Sequence, residues 1–475
     1  GAIPAGSPNG QGVIVGVLEG RHAQTTHPDF GGRVTQGDAG TLNFGVHTTM
    51  TAGMIAGSGA QSVASGAATA NQWRGVAPGA SVRTYNYTTS ADSITDYIGD
   101  VTDAVRNDAV VLMNNSWGDS GCGTLAYGAY VGRAPFLDGV VKGSLGRPVP
   151  IVFSAGNERA GFFNSATNAN DTSCIANAAA PFENYGTLNH PKAAKNVISV
   201  GAIDSGNSAM TSYSSWGPTL DGRIKPDVVA AGHHNGSMNS NVSSITNAFG
   251  QPTGAANQQD YRTPIFDTTF VYGWYAQTSS AAAEVTGGQA LMIDGWRRSF
   301  PGRADPLPST LRATLVNNAA DLDDATTWYN PGPDYASGYG LVRINNSVQS
   351  LQRGDAVEGS VAHGGEAHYF LTVPAGAAPL RMTLAWDDEP AIHGANPALV
   401  NDLDLVVTDP NGVRRYPWTL NRATPSAAAV RTAEDHVNNL EQVLVDAPAA
   451  GAWTIVVRGT TVASGRQDFS LVTPN

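Results

Sequence analysis

Four residues of this 475-residue chain are of types, and in an order, that could cleave an acyl bond. Glu19 stands near the end of the apolar run VIVGVLEG, His47 opens the small-residue stretch HTTMTAGMIAG, and Ser279 lies in the stretch TSSAAAEVTGGQALM. A serine hydroxyl is a poor nucleophile until an adjacent imidazole removes its proton, and that imidazole needs a carboxylate to fix its tautomer and stabilise its charged form. Asn157, in SAGNE, adds an amide that could donate into an oxyanion hole, worth about 3–4 kcal/mol at a transition state. Each residue alone says little. The order acid, base, nucleophile is what points to acyl transfer.

Side chains so far apart in sequence must be brought together by a scaffold. Short β-branched runs alternate with helix-like segments: GVIVGVLEG, the His47 segment, SVRTYNY, a helical stretch from Ser93 to Asn107, AVVLMNNSWG and PVPIVFSAGNE. NVISVGAI then reads as a strand, and GQALMIDGWRR and PSTLRATLVNNAA as helices. Continuous apolar strands followed by helices predict an α/β domain with a parallel sheet covered on both faces. Such sheets place their sites at the carboxyl ends of the strands. After about Ser350 the pattern becomes short alternating segments separated by Gly, Pro and Asn, the pattern of an antiparallel all-β sandwich. The expected division is 1–355 and 356–475, in QRGDAV. His233 to Gln277 is rich in Asn, Ser and Gly, and is either a long functional loop or holds strands the pattern does not place.

Composition narrows the partners. Net charge is −12, 14% of residues are charged, and Lys occurs only at 142, 192, 195 and 225, so no basic stripe exists for nucleic acid or for an anionic membrane. The negative excess serves solubility. Two cysteines, Cys122 and Cys174, are too few for a disulfide scaffold and lack zinc spacing. No apolar run reaches the roughly 20 residues of a spanning helix, and GAIPAGSPNGQG lacks signal-peptide order. The expectation is a monomer whose targeting segment lies outside this sequence.

The ordered segments resemble the subtilisin-like serine proteases, the subtilase family (peptidase family S8). They are GVIVGVLEG with HPDF, the His47 segment, NNSWG at 114–118, VFSAGNE at 152–158, VISVGAID at 197–204, SSWGPTLDGRIKPDVVAAG at 214–232 and TSSAAAEVTGG at 278–288. LVNDLDLVVTDPNG at 399–412 and NNLEQVLVDAPAAGAWTIVV resemble the C-terminal β-domain of the oxidatively stable alkaline protease group. The resemblance implies a subtilisin-like, doubly wound, mostly parallel sheet followed by a jelly-roll-like sandwich. It implies that Ser279 is the nucleophile, His47 the base, Glu19 the orienting carboxylate, and Asn157, with the Ser279 amide, the oxyanion donor. Ser116, Trp117 and Gly118 would pair with extended substrate, and Ser154, Ala155 and Gly156 would wall the pocket for the residue before the scissile bond. The implied protein is a secreted endopeptidase acting on proteins or peptides, matured from its own inhibitory prodomain to begin at Gly1, with no cofactor needed for catalysis. In that fold Cys122 and Cys174 lie on neighbouring loops beside the cleft, so a disulfide stiffening the rim by about 2–4 kcal/mol is expected. Calcium is the family's usual stabiliser. Asp387, Asp388, Asn401, Asp402 and Asp404 cluster in sequence, but alternating residues of NDLDL point to opposite faces and 414–432 holds no acidic residue, so no ligand is assigned.

The departures from the family pattern matter too. Its acidic triplet is replaced by Glu19-Gly20-Arg21, one methylene longer, although hydrolases of another fold use Ser–His–Glu. HGTHVAG becomes His47 to Gly53 with the second His lost, and GTSMASPHVAG becomes Gln277 to Gly287 with Gly, Met and Pro gone, which removes an oxidisable sulfur. Ser280 is the rival nucleophile, and the family register favours Ser279. Asp29 could replace the acid, though a structural loop role is the simpler reading; His22 and His27 read as surface residues, Trp117 and Phe153 as pocket or core, and Glu284 carries no assigned role. Two functions remain: an active peptidase with a Glu–His–Ser triad, which Asn157 favours, and a catalytically impaired pseudoprotease that binds peptides.

Overall fold

Short runs of Val, Ile and Leu that are apolar on both sides can only be satisfied between two layers of helices, and they form the central sheet. The computed structural model describes residues 6–38, 44–64, 67–87, 93–118, 127–159, 162–164, 169–171, 185–206, 208–233, 242–244, 272–322 and 330–474. Its first part contains β1 (Ile14–Glu19), β2 (Val34–Gln36), α1 (Val46–Ala56), β3 (Ser81–Asn86), α2 (Ser93–Arg106), β4 (Leu112–Asn115), α3 (Ala134–Lys142) and β5 (Ile151–Ser154). A hairpin of β6 (Phe162–Asn164) and β7 (Ala169–Asp171) precedes β8 (Ile198–Asp204) and β9 (Val228–His233). Seven strands pair all-parallel in the order β2-β3-β1-β4-β5-β8-β9, the predicted doubly wound sheet. A second pair, β10 (Val242–Ser244) and β11 (Tyr272–Trp274), lies within the span that the sequence pattern left open.

Among the described residues three more helices complete the layers: α4 (Gln277–Ser299), α5 (Pro308–Asn318) and α6 (Ile344–Arg353). The 23-residue α4 is buried nearly all round because its small residues let neighbours close on it. Ala281, Ala282 and Ala283 have no exposed surface, and a Cβ on Gly287 would lie 2.6 Å from that of Val76. A helix this enclosed is held by packing rather than by its own propensity. No helix among the described residues is long and apolar enough to cross a membrane.

From Ala356 onward the chain is β: β12 (Ala356–Ala362), β13 (Glu366–Val373), β14 (Leu380–Ala385), β15 (Asp402–Thr408), β16 (Arg414–Arg415), β17 (Leu440–Val445), β18 (Gly451–Thr461) and β19 (Arg466–Val472). They form two four-stranded antiparallel sheets, β12-β19-β14-β17 and β13-β18-β15-β16. Trp453, Ile455 and Val457 of β18 alternate into the space between them and meet Met382, Leu384 and Phe469. Period-two burial of this kind is what the alternating sequence requires.

Candidate active site

The parallel sheet delivers three neighbouring strand ends to one edge. β1 ends at Glu19, β4 leads into Ser116, Trp117 and Gly118, and β5 leads into Ala155, Gly156 and Asn157. His47 is the second residue of α1, and Ser279 the third of α4. Glu19 Oε2 lies 3.3 Å from His47 Nδ1, the carboxylate buried and the imidazole about one-third exposed. Burial alone would lower the pKa of His47, but the charge of Glu19 and its hydrogen bond outweigh that and raise it above its usual value.

Ser279 reaches the edge of the cleft with 5% of its surface exposed, whereas Ser280 has none and its hydroxyl is buried without a hydrogen-bond partner. Of the two serines, Ser279 alone keeps some exposed surface. Its Oγ donates to the Ser116 carbonyl at 3.2 Å, and Ser116 Oγ donates back to the Ser279 carbonyl at 3.2 Å. The Ser279 side chain is therefore held on β4's extension, while His47 Nε2 lies 3.4 Å from the hydroxyl of Tyr275.

Asn157 is oriented by the residue preceding the serine. Thr278 donates its backbone N–H (3.1 Å) and its hydroxyl (2.9 Å) to Asn157 Oδ1, so the amide carbonyl is taken and Nδ2–H is left to donate. Gly156 stands at φ +113°, where a Cβ would come within 2.2 Å of Glu158 Oε2. Glu158 accepts from Asn189 Nδ2 (2.9 Å) and Ser215 Oγ (2.9 Å), and this polar cluster is joined by Lys192, which lies beside both Gly118 and Gly156. Ser154 and Ala155, expected to wall a pocket, are both buried. Trp117 and Phe153 belong to the core: their rings meet edge-on at 5.5 Å, and the Trp117 indole donates to Asn115 Oδ1 at 3.1 Å.

A family model for the subtilase family matches residues 10–340. The chain belongs to the subtilase family. Among curated proteins, tagB of Dictyostelium discoideum, a serine protease/ABC transporter B family protein, is 26% identical over 316 residues, 55% of this chain and 16% of its own length. The serine protease/ABC transporter B family protein tagD from the same organism is 25% identical over 319 residues, 55% of this chain and 17% of its own. The chain thus spans about a sixth of the length of these relatives. Among solved structures, a serine protease of Aeromonas sobria is 16% identical, covers 98% of this chain and 88% of its own, and superposes with a TM-score of 0.48.

Several details of this subtilase were hidden from sequence. Gln277 occupies the position of the family's glycine and adopts φ +75°, a left-handed conformation that costs a non-glycine residue about 1 kcal/mol or more. Asp29 is fully buried and saturated, accepting from Gly59 N (3.0 Å), Gln61 N (3.2 Å) and the Tyr272 hydroxyl (2.5 Å), which fits its structural loop role. His22 and His27, expected at the surface, are both buried: the loop folds under itself, so that His22 meets Thr84 and Asp38, and His27 Nδ1 accepts from Asp29 N. Cys122 and Cys174 lie outside the described residues. Tyr275, Thr51 and Lys192 were missed; the position of Tyr275 four residues before Ser279 was the one available hint.

The acidic cluster of the β-region also resolves differently from its sequence. Asp387 accepts from Ser309 N and Asp388 from Val400 N and Asn401 N, and neither groups with Asp402 and Asp404. Asp402 and Asp404, two apart on β15, share one face and meet His436, whose Nδ1 is 2.8 Å from Asp402 Oδ2 and 3.7 Å from Asp404 Oδ1. The sequence argument from alternation separated neighbours, not residues two apart. One imidazole and two carboxylates fall short of the six to eight oxygens calcium takes, and Arg458 and Arg414 already bring positive charge to adjacent Glu434. With Glu434 and the two arginines these donors form an ion-pair network.

Proposed function

We propose that this subtilase is a serine endopeptidase that hydrolyses peptide bonds through an acyl-enzyme, with Glu19, His47 and Ser279 as its triad. The observation that carries this reading is the Glu19–His47 contact at the carboxyl edge of the sheet, with Ser279 on the adjoining helix start. In the reaction Ser279 Oγ attacks the substrate carbonyl carbon as His47 Nε2 takes its proton, and the oxyanion is held by Asn157 Nδ2–H and the Ser279 amide. Collapse breaks the C–N bond, the same proton passes to the departing amine, and water repeats the sequence on the ester. Ser116 to Gly118 would pair with substrate backbone, which gives affinity for many sequences, while the wall from Ser154 to Gly156 selects one side chain. The reading extends to a secreted, monomeric enzyme freed from its own prodomain, akin to the oxidatively stable alkaline proteases.

One observation favours a second reading, a peptide-binding pseudoprotease: the Ser279 hydroxyl is hydrogen-bonded to Ser116 rather than to the imidazole. Labelling with a fluorophosphonate followed by peptide mass mapping separates the two. An adduct on Ser279, lost in His47→Ala, is expected; absence of any adduct on folded protein at all pH values would exclude the peptidase.

A further inference from the structure

The hydroxyl that faces the base has a fixed hydrogen count. Thr51 Oγ1 lies 3.0 Å from the carbonyl of His47, one turn back in α1, and 2.6 Å from the Tyr275 hydroxyl. A carbonyl only accepts, so the single Thr51 hydrogen goes to it. The short contact with Tyr275 is then made by the tyrosine's hydrogen. With that hydrogen spent, the Tyr275 oxygen can offer only lone pairs to His47 Nε2, 3.4 Å away. On the far side of the ring, Nδ1 faces the Glu19 carboxylate, also an acceptor. An imidazole between two acceptors is satisfied on both nitrogens only when both carry hydrogen.

We infer that Tyr275 is a positioning residue that holds His47 in its doubly protonated resting form, so that the imidazole becomes a base only after it gives the Nε2 proton to solvent water and turns from Tyr275 to Ser279. The inference rests on the reading of His47 as the general base. It accounts for the parked nucleophile: a ring whose Nε2 carries hydrogen cannot accept from Ser279, which turns to the Ser116 carbonyl instead. The tyrosine is well held for this role, being fully buried, with its ring edge-on to the imidazole at 5.6 Å and 81°. Among the described residues, Glu19 from β1 and Tyr275 meet the two nitrogens of His47, the Arg21 side chain packs beside Gly45 just before α1, and α1 itself has no acidic residue in its first turn and no basic one in its last.

The test uses the full chain with labelled histidine and follows the His47 ring by NMR through a pH titration, its signal assigned by loss in His47→Gln. Tyr275→Phe keeps the ring packing and deletes the acceptor, so the His47 midpoint should fall by about one pH unit, and the acid limb of fluorophosphonate labelling at Ser279 should fall with it. Thr51→Val frees the tyrosine hydrogen to donate to Nε2, which favours the neutral ring, and should shift the midpoint the same way; it decides the matter should Tyr275→Phe not fold. A midpoint that stays or rises overturns the inference. If the midpoint falls while Ser279 takes no label in any of the three proteins, the tyrosine contact stands and the peptidase reading fails.

Discussion

Glu19 sets how far the base sits from the strand that carries its carboxylate. Its longer side chain closes a gap to His47 that leaves Oε2 at 3.3 Å, and its Oε1 is buried without a hydrogen-bond partner, so a single oxygen of Glu19 meets the imidazole. Glu19→Asp should open that gap by roughly a C–C bond length and lower kcat about 10- to 100-fold with KM little changed. Glu19→Ala should cost more, about 10³- to 10⁴-fold, because the tautomer is then unguarded. Steady-state kinetics of both variants on one peptide checks this, and equal turnover in all three proteins would exclude Glu19 as the orienting group. At this scale the sequence led to Glu19, His47, Ser279 and Asn157 because motif order survives the loss of individual letters. It could not lead to the Tyr275–Thr51 pair, since what matters there is which hydroxyl has spent its hydrogen, a property of distances.

The α4 helix does two jobs, presenting Ser279 at its first turn and filling the core with the rest of its length. Glu284 sits on that buried part, its Oε2 accepting from Ala231 N of β9 at 3.2 Å, and burial pushes its pKa up to about 7. The unfolded chain, with the ordinary value of 4.5, has already lost this proton between pH 4.5 and 7 while the folded protein keeps it. The native state therefore binds more protons in that window, and stability contributed by the group falls as pH rises from 4.5 to 7, then levels off. Glu284→Gln removes this dependence, so Tm of the variant relative to the parent should climb across that window and stay constant above it; parallel Tm profiles would show that the carboxyl is not protonated when folded. The elements themselves were readable, since β-branched runs and small-residue helices differ in period. Their local burial was less so: nothing in the composition of the loop around His22 and His27 signals that it folds under itself.

Taken whole, the molecule is joined by a buried polar seam between the α/β part and the β-sheets. Arg312 of α5 reaches Lys195 O (2.7 Å), Trp386 O (2.8 Å) and Asn439 O (3.0 Å), and Asn196 exchanges two 2.8 Å hydrogen bonds with the backbone of Asp388. Lys195 lies 3.1 Å from Asp138 and 3.6 Å from Asp388, all three side chains without exposed surface. Arg312→Ala strands several carbonyls in the dry and should cost about 3–5 kcal/mol, measured by urea unfolding. A loss below 1 kcal/mol would mean that water fills the seam. For the proposed peptidase the same arrangement governs a hazard particular to enzymes that cut chains. Nicking falls on slack, exposed segments that can be drawn into a cleft, and a join between two halves is usually such a place. Here only Gly354 and Asp355 separate α6 from β12, and Asp355 is buried and tied to Ser350 and Arg353. A neighbouring copy, however concentrated the solution, finds no loose thread there to pull.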